Sequence, residues 1–284
     1  MKPAAFRYFS PRTVDHALDL LATHGEEGKI LAGGQSLVPA MNFRLARPAS
    51  VIDINRIDAL DYVREEGGLL CIGALARHAR FETPVTGGAL AAFLPRVAHH
   101  IAHVPIRTRG TFCGSVAHAD PASEWCMVAA TLDAELVIAS HRGTRRLQPP
   151  DYFVTALTTA LEPDELLTEI RLPLLDDGWR TGFAEFSRRA GDYALAMCAA
   201  FLRVEDGRIV EARLGIGGAT DRPSRITAAE ELLTGSDGGE HARREAGNAA
   251  AQAIDPLEDV QASAAFRRDL VRAMVGRAVA QALA

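Results

Sequence analysis

Two glycine-containing turns in the first half of the chain constrain its fold most. One is Ile30-Leu31-Ala32-Gly33-Gly34-Gln35-Ser36-Leu37. The other is Ile106-Arg107-Thr108-Arg109-Gly110-Thr111-Phe112-Cys113-Gly114-Ser115. Each adjoins apolar segments of strand character. Glycine reaches backbone conformations that are costly for other residues, and it lets backbone N–H groups approach a ligand with no side chain in the way. Two such turns brought together would cradle an anionic, extended ligand. Taken alone, the first segment reads more readily as an ordinary strand-to-helix turn. The pair carries the argument.

The chain of 284 residues is long enough for a real core and for one to three domains. Apolar residues make up 48% of it, which excludes a disordered chain. A formal net charge of −5 argues against a dominant nucleic-acid surface. Cys71, Cys113, Cys126 and Cys198 are far apart and form no CxxC pair, so neither an iron–sulfur nor a structural zinc site is expected. The N-terminal segment has no apolar run after its basic start, and no apolar stretch is long enough to span a membrane. The expectation is a cytoplasmic soluble protein.

Thr13 is the expected N-cap of a helix carrying Val14, Ala17, Leu18, Leu21 and Ala22. Short strands are expected at Lys29–Ala32 and Val51–Ile54, with a helical turn from Leu37 to Phe43 between them. This small α/β unit ends near residue 55. A second unit, 56–176, opens with a strand at Leu69–Gly73. A helix over Ala89–His103 follows, with Pro95 in its middle. Ala122–Leu132 is the next helix, with Asp120 at or near its N-cap, and Ala134–Ala139 and Leu166–Leu172 read as strands. The Pro173–Gly178 region marks a domain border. Beyond it, in 177–284, strands are expected at Gly182–Arg188, Ala194–Val204 and Ile209–Ile216. Asp206-Gly207 makes the hairpin turn, and helices are expected at Ala228–Leu233 and Ala262–Leu283.

The chemistry concentrates near the turns. Gly33, Gly34 and the Ser36 hydroxyl suit a pyrophosphate. Gly110-Thr111-Phe112-Cys113-Gly114-Ser115 offers a flexible backbone and two hydroxyls, and Glu124 could accept hydrogen bonds from ribose or ribityl hydroxyls. A purely local reading has Asp120 capping a helix and Glu124 in its first turn. His118 could approach a cofactor or make a simple hydrogen bond. Tyr193 could flank an aromatic ring or be a plain hairpin aromatic. His99 and His103 could share a helical face, but no H-E-x-x-H pattern occurs. The dinucleotide fingerprint GxGxxG after an N-terminal strand and the GxxxxGK[ST] phosphate loop are both absent. No nucleophile–base–carboxylate set is present, which suits a protein whose cofactor does the redox chemistry.

In combination these motifs resemble the FAD-binding medium subunit of molybdenum-containing hydroxylases, the carbon monoxide dehydrogenase and xanthine dehydrogenase family. Ala32-Gly33-Gly34-Gln35-Ser36 is similar to the family's first flavin-diphosphate loop. Thr111-Phe112-Cys113-Gly114 is similar to its second, T-x-G-G, with Cys113 in place of the first paired glycine. Arg188-Arg189-Ala190-Gly191-Asp192-Tyr193-Ala194 is similar to the later R-x-G-D-[YW]-A segment. The resemblance spans nearly the whole chain.

It implies an α+β fold, with a two-part FAD-binding domain of vanillyl-alcohol-oxidase type (1–176) and a C-terminal domain with a small antiparallel sheet and helices (177–284). It implies FAD bound by Ala32, Gly33, Gly34, Gln35, Ser36, Leu37, Gly110, Thr111, Gly114, Ser115, His118, Glu124, Leu172 and Tyr193. No catalytic residue and no metal ligand are implied in this chain. The partners implied are a large subunit with the molybdenum cofactor and a small subunit with two [2Fe–2S] clusters, in a dimer of heterotrimers. Electrons would pass from the clusters to FAD and on to an external acceptor. A single-chain flavin oxidase and a non-redox nucleotide-binding or assembly protein are the rival readings.

Overall fold

The structure is a computed structural model that describes residues 2–284. Three layers follow one another along the chain. The first is a parallel sheet in the order β1 (Arg7–Phe9), β3 (Ser50–Asp53), β2 (Gly28–Leu31), with Tyr8 and Lys29 both in register with Val51. Helix α1 (Val14–His24) packs against it. The hydroxyl oxygen of Thr13 accepts from the His16 N–H at 3.2 Å and so caps the helix as its sequence predicts, and Ala17, Leu18 and Leu21 are buried. Gly25 ends it, its N–H donating to Leu21 O at 2.7 Å. The short helix α2 (Leu37–Asn42) follows the first glycine turn.

The second layer is an antiparallel sheet in the order β4 (Val63–Glu66), β5 (Leu69–Gly73), β10 (Leu166–Pro173), β6 (Glu135–Ser140), β7 (Gly143–Leu147). Its central strand pairs Ile170 with Ile72 on one side and with Leu136 on the other. Helices α3 (Leu90–Ala98), α4 (Val104–Arg107), α5 (Phe112–His118), α6 (Glu124–Thr131) and α7 (Pro149–Tyr152) fill the connections, with the hairpin of β8 (Phe153–Thr155) and β9 (Thr158–Thr159). The rings of Phe112 and Trp125 stack at 4.5 Å, and Phe81 lies 5.4 Å from each.

The third layer is an antiparallel sheet in the order β11 (Trp179–Phe186), β12 (Ala196–Glu205), β13 (Arg208–Gly217), β14 (Ser224–Arg225), with α8 (Thr227–Leu233), α9 (Glu240–Ala253) and α10 (Ala264–Leu283). Strand side chains alternate between faces. Met197, Ala199 and Phe201 of β12 therefore join the core of the first two layers, while Ala196, Cys198, Ala200 and Leu202 join a second core under the helices. Helix α6 packs on β12, β13 and β14 from the other side, and every residue from Trp125 to Thr131 is buried. A helix apolar all round is one enclosed on all sides.

Three expectations change. The helix foreseen over Ala89–His103 stops at Ala98, and His103 precedes the separate α4 in extended conformation, so His99 and His103 share no helical face. The cap of α6 is Ser123, whose Oγ accepts from the Cys126 N–H at 3.3 Å. Asp120 sits earlier and accepts from the Ala122 N–H at 2.9 Å, shaping the turn instead. The second glycine segment is not a flexible turn throughout, because from Phe112 onward it is helix.

Candidate functional site

The two glycine turns meet. A Cβ placed on Gly33 would lie 2.5 Å from Arg109 O and 2.5 Å from the Gly110 Cα, both backbone atoms that cannot swing away. One placed on Gly114 would lie 3.9 Å from the Ala32 Cβ. The turn after β2 is thus pressed against the turn before α5, and only glycine fits at the contact. Gly34 has φ +74°, a conformation glycine adopts without strain. Gln35 braces this first turn through Nε2, which donates to Gly33 O at 3.0 Å. Ser36 is exposed at the start of α2 and spends no side-chain bond on capping.

The second turn is built differently. Thr111 is the N-cap of α5, its Oγ1 accepting from the Gly114 N–H at 3.0 Å. Cys113, in place of the family's glycine, has ordinary helical backbone and a buried side chain whose Sγ donates to Ile72 O at 3.5 Å. A glycine is therefore not needed there. Ser115 Oγ and Ser123 Oγ are 2.7 Å apart and tie the start of α6 to α5.

Glu124 opens α6. It keeps some access to solvent, yet its dry surroundings push its carboxyl up to about 8, with the negative charges of Glu185 and Asp120 adding to the effect. Glu185, on β11, is a buried carboxylate whose Oε2 has no hydrogen-bond partner. Tyr193 lies in the loop between β11 and β12 with 67% of its surface exposed. Partial burial raises its pKa, and the negative charges of Asp120 and Glu124 near the start of α6 add to the effect. Gly191 in that loop has φ +83° and presses on the His103 ring, so His103 supports the Tyr193 loop.

Two further residues of the expected set differ in how far they reach the surface. Leu172 is fully buried in the central strand β10, opposite Leu70, and offers a ligand no surface. His118 is exposed in the last turn of α5. The sequence reading missed Asn55, Arg77 and His78. Asn55 Nδ2 donates to Ala32 O at 2.8 Å, and Arg77 donates to Asn55 Oδ1 and to Arg109 O. His78 Nδ1 accepts from Trp125 Nε1 at 2.9 Å, and a Cβ on Gly110 would fall 2.5 Å from its Nε2. Burial, with the charges of Arg77 and Arg107, lowers the His78 pKa to about 4, so the ring is neutral. Asn55 follows β3 and Arg77 follows β5 by a few residues, and polar side chains just past strand ends are the signal that could have found them.

Surface recesses of about 670 and 390 Å³ lie elsewhere, around Arg7 and Glu162 and around Thr86 and Leu175. Among the described residues no group of three or more His, Cys, Asp and Glu could hold a metal ion, and no helix is long and apolar enough to cross a membrane.

The close glycine contact, with the exposed and uncapped Ser36 beside it, suits an extended anionic ligand. Residues 4–175 match the family described as the FAD binding domain in molybdopterin dehydrogenase, and residues 181–282 match the CO dehydrogenase flavoprotein C-terminal domain. The chain is an FAD-binding medium subunit of the molybdenum hydroxylase family. This medium subunit is 40% identical to the nicotine 6-hydroxylase medium subunit of Paenarthrobacter nicotinovorans, over 99% of each chain. Its fold superposes on carbon monoxide dehydrogenase from Hydrogenophaga pseudoflava with a TM-score of 0.95 at 33% identity, over 99% of this chain and 98% of the other. On quinoline 2-oxidoreductase from Pseudomonas putida 86 the TM-score is 0.94 at 34% identity, over 100% and 98%.

Proposed function

We propose that this medium subunit holds FAD across the two glycine turns and passes electrons from a small [2Fe–2S] subunit to an external acceptor. A large subunit carries the molybdenum cofactor and oxidises the substrate. The working unit is a cytoplasmic dimer of heterotrimers. FAD, when bound, supplies the redox chemistry, and this chain supplies position and environment.

The observation that carries the reading is the contact of Gly33 with the backbone of Arg109 and Gly110, which leaves no room for a side chain. Ala32, Gly33, Gly34, Gln35, Ser36 and Leu37 line one side of the diphosphate, and Gly110, Thr111, Gly114 and Ser115 the other. Glu124 accepts from sugar or ribityl hydroxyls. Because its carboxyl holds its proton more tightly than an ordinary glutamate, it can also donate. Tyr193 flanks the flavin ring from the third layer. The FAD-binding domain is 1–176, in parts 1–55 and 56–176, and the C-terminal domain is 177–284.

Native purification tests this directly, with subunit identification, flavin and metal analysis and a substrate screen. The expected result is co-purification with molybdenum-cofactor and [2Fe–2S] subunits and substrate-dependent bleaching of the flavin absorbance. Substrate oxidation by this chain alone would overturn the electron-transfer role, and a folded complex without flavin would overturn FAD binding.

A further inference from the structure

We propose that Arg77 and Asn55 form a latch that fixes the separation of the two glycine turns, and that both are positioning residues for the FAD diphosphate. The inference rests on the reading that FAD spans both turns. The connection is continuous. Ala32 O accepts from Asn55 Nδ2 at 2.8 Å, Asn55 Oδ1 accepts from Arg77 Nη2 at 2.5 Å, and Arg109 O accepts from Arg77 Nη1. It therefore runs from the residue before Gly33 to the residue before Gly110, alongside the point where the two backbones touch.

Each half of the latch is anchored independently. Asp53 Oδ1 accepts from Asn55 Nδ2 at 2.6 Å and from the Asn55 backbone N–H at 2.9 Å. The backbone of Arg77 forms an antiparallel bridge with Thr111, flanked by His78 N–H to Gly110 O at 2.9 Å and Phe112 N–H to Ala76 O at 3.0 Å. The side chains that join the turns are thus held by the end of β3 on one side and by the backbone of the second turn on the other.

The chemistry explains why an arginine serves here. Two carbonyl oxygens, of Ala32 and Arg109, are brought into the wall of a site meant for an anion. Left unpaired they would repel each other and the diphosphate. A planar guanidinium donates in two directions at once, to a carbonyl and to a carboxamide oxygen, and adds positive charge behind the wall. A lysine keeps the charge but lacks the rigid fork.

The test uses the full chain with the subunits that accompany it. FAD release is followed by the rise in flavin fluorescence on dilution, for wild type, Arg77→Lys, Asn55→Ala and the double variant. Each protein is also reconstituted with FMN, which lacks the second phosphate and the adenosine. We expect each single variant to release FAD about 10-fold faster, and the double variant no more than about threefold faster than the worse single, because both act through one connection. FMN release should change by less than about threefold in all of them. Should Asn55→Ala fail to assemble, Asn55→Ser takes its place. FAD release as in wild type from Arg77→Lys would reduce Arg77 to a point charge and overturn the latch. So would additive effects in the double variant, or equal losses of FAD and FMN, which would mark a general structural defect. Wild-type protein without flavin would instead overturn the underlying reading.

Discussion

The first glycine turn and the second carry similar sequence signals and are physically unlike. The first is a true strand–turn–helix connection. Gly34 takes a left-handed conformation, Ser36 is exposed, and the residues from Ala32 to Gln35 are only partly buried. The second is a capped helix start, with Thr111, Phe112 and Cys113 all buried and the Gly114 N–H already satisfied by Thr111. The first turn keeps a partly exposed backbone with one left-handed glycine, while the second presents a surface that the core has already fixed. The lesson is that glycine marks close approach in one place and helix packing in the other. Substitutions at each should therefore fail in different ways.

The largest effect is expected at the contact itself. Gly33→Val places a branched side chain where even a Cβ would be 2.5 Å from two backbone atoms. The turns must separate, and FAD affinity should fall at least ~100-fold, or about 2.7 kcal/mol. Equilibrium titration of flavin-free protein measures this. Gly34→Ala is milder. Its Cβ would meet only the ends of Leu31 and Val38, at 3.0 and 3.2 Å, so the cost is the positive φ. That amounts to about 1–2 kcal/mol, or roughly 10-fold in affinity if the strain falls on the bound form. Gly33 and Gly34 variants of equal affinity would erase the distinction between a contact glycine and a conformational one.

The second turn is expected to lose stability before it loses ligand. Thr111→Ala removes the cap of α5, worth about 1 kcal/mol. In a chain of 284 residues that lowers the melting temperature by roughly 2 °C. Thr111→Ser keeps the oxygen and should recover most of it. A calorimetric scan of the flavin-free protein separates the two effects. A Thr111→Ala variant that binds FAD far more weakly at unchanged melting temperature would show that Thr111 acts on ligand rather than on the helix.

Most of the framework was legible because periodicity and turn chemistry agreed with burial. The continuous apolar run of β12 reads as a strand buried on both faces, and its alternate residues do enter two cores. Asp206 and Gly207 both have positive φ, as a tight hairpin turn requires. Helix α9 escaped notice because its buried positions are Ala246, Gly247, Ala250 and Ala251. Small residues give close packing, with a Cβ on Gly247 coming to 3.0 Å from Arg272 O, but they supply no large apolar side chain to mark the buried face. Edge strand β4, Val-Arg-Glu-Glu, is polar and takes its place from pairing with β5. The glycines and hydroxyls of the site could be read locally. Asn55 and Arg77 could not, since their role exists only once two distant turns are brought together.

The smallest effect tests the side of the site away from the glycines. Glu124 has its pKa raised by burial and by Glu185, so the folded chain holds that proton more tightly than the unfolded one. Its contribution to stability is fully present below the unfolded-state pKa. It is lost as pH rises, because the unfolded chain ionises first, and it levels off above about 8. Glu124→Gln cannot ionise and should flatten that part of the profile, so variant and wild type diverge between about pH 4.5 and about 8 with the variant the more stable at the upper end. Asp120, Glu185, His100 and Tyr193 face the same region, so the comparison is between profiles rather than at one pH. Melting temperatures of the flavin-free protein across that range provide the measurement. Parallel profiles would mean that Glu124 is solvated well enough to ionise normally. The start of α6 would then be an open rim rather than the dry, proton-holding counterpart to the glycine turns.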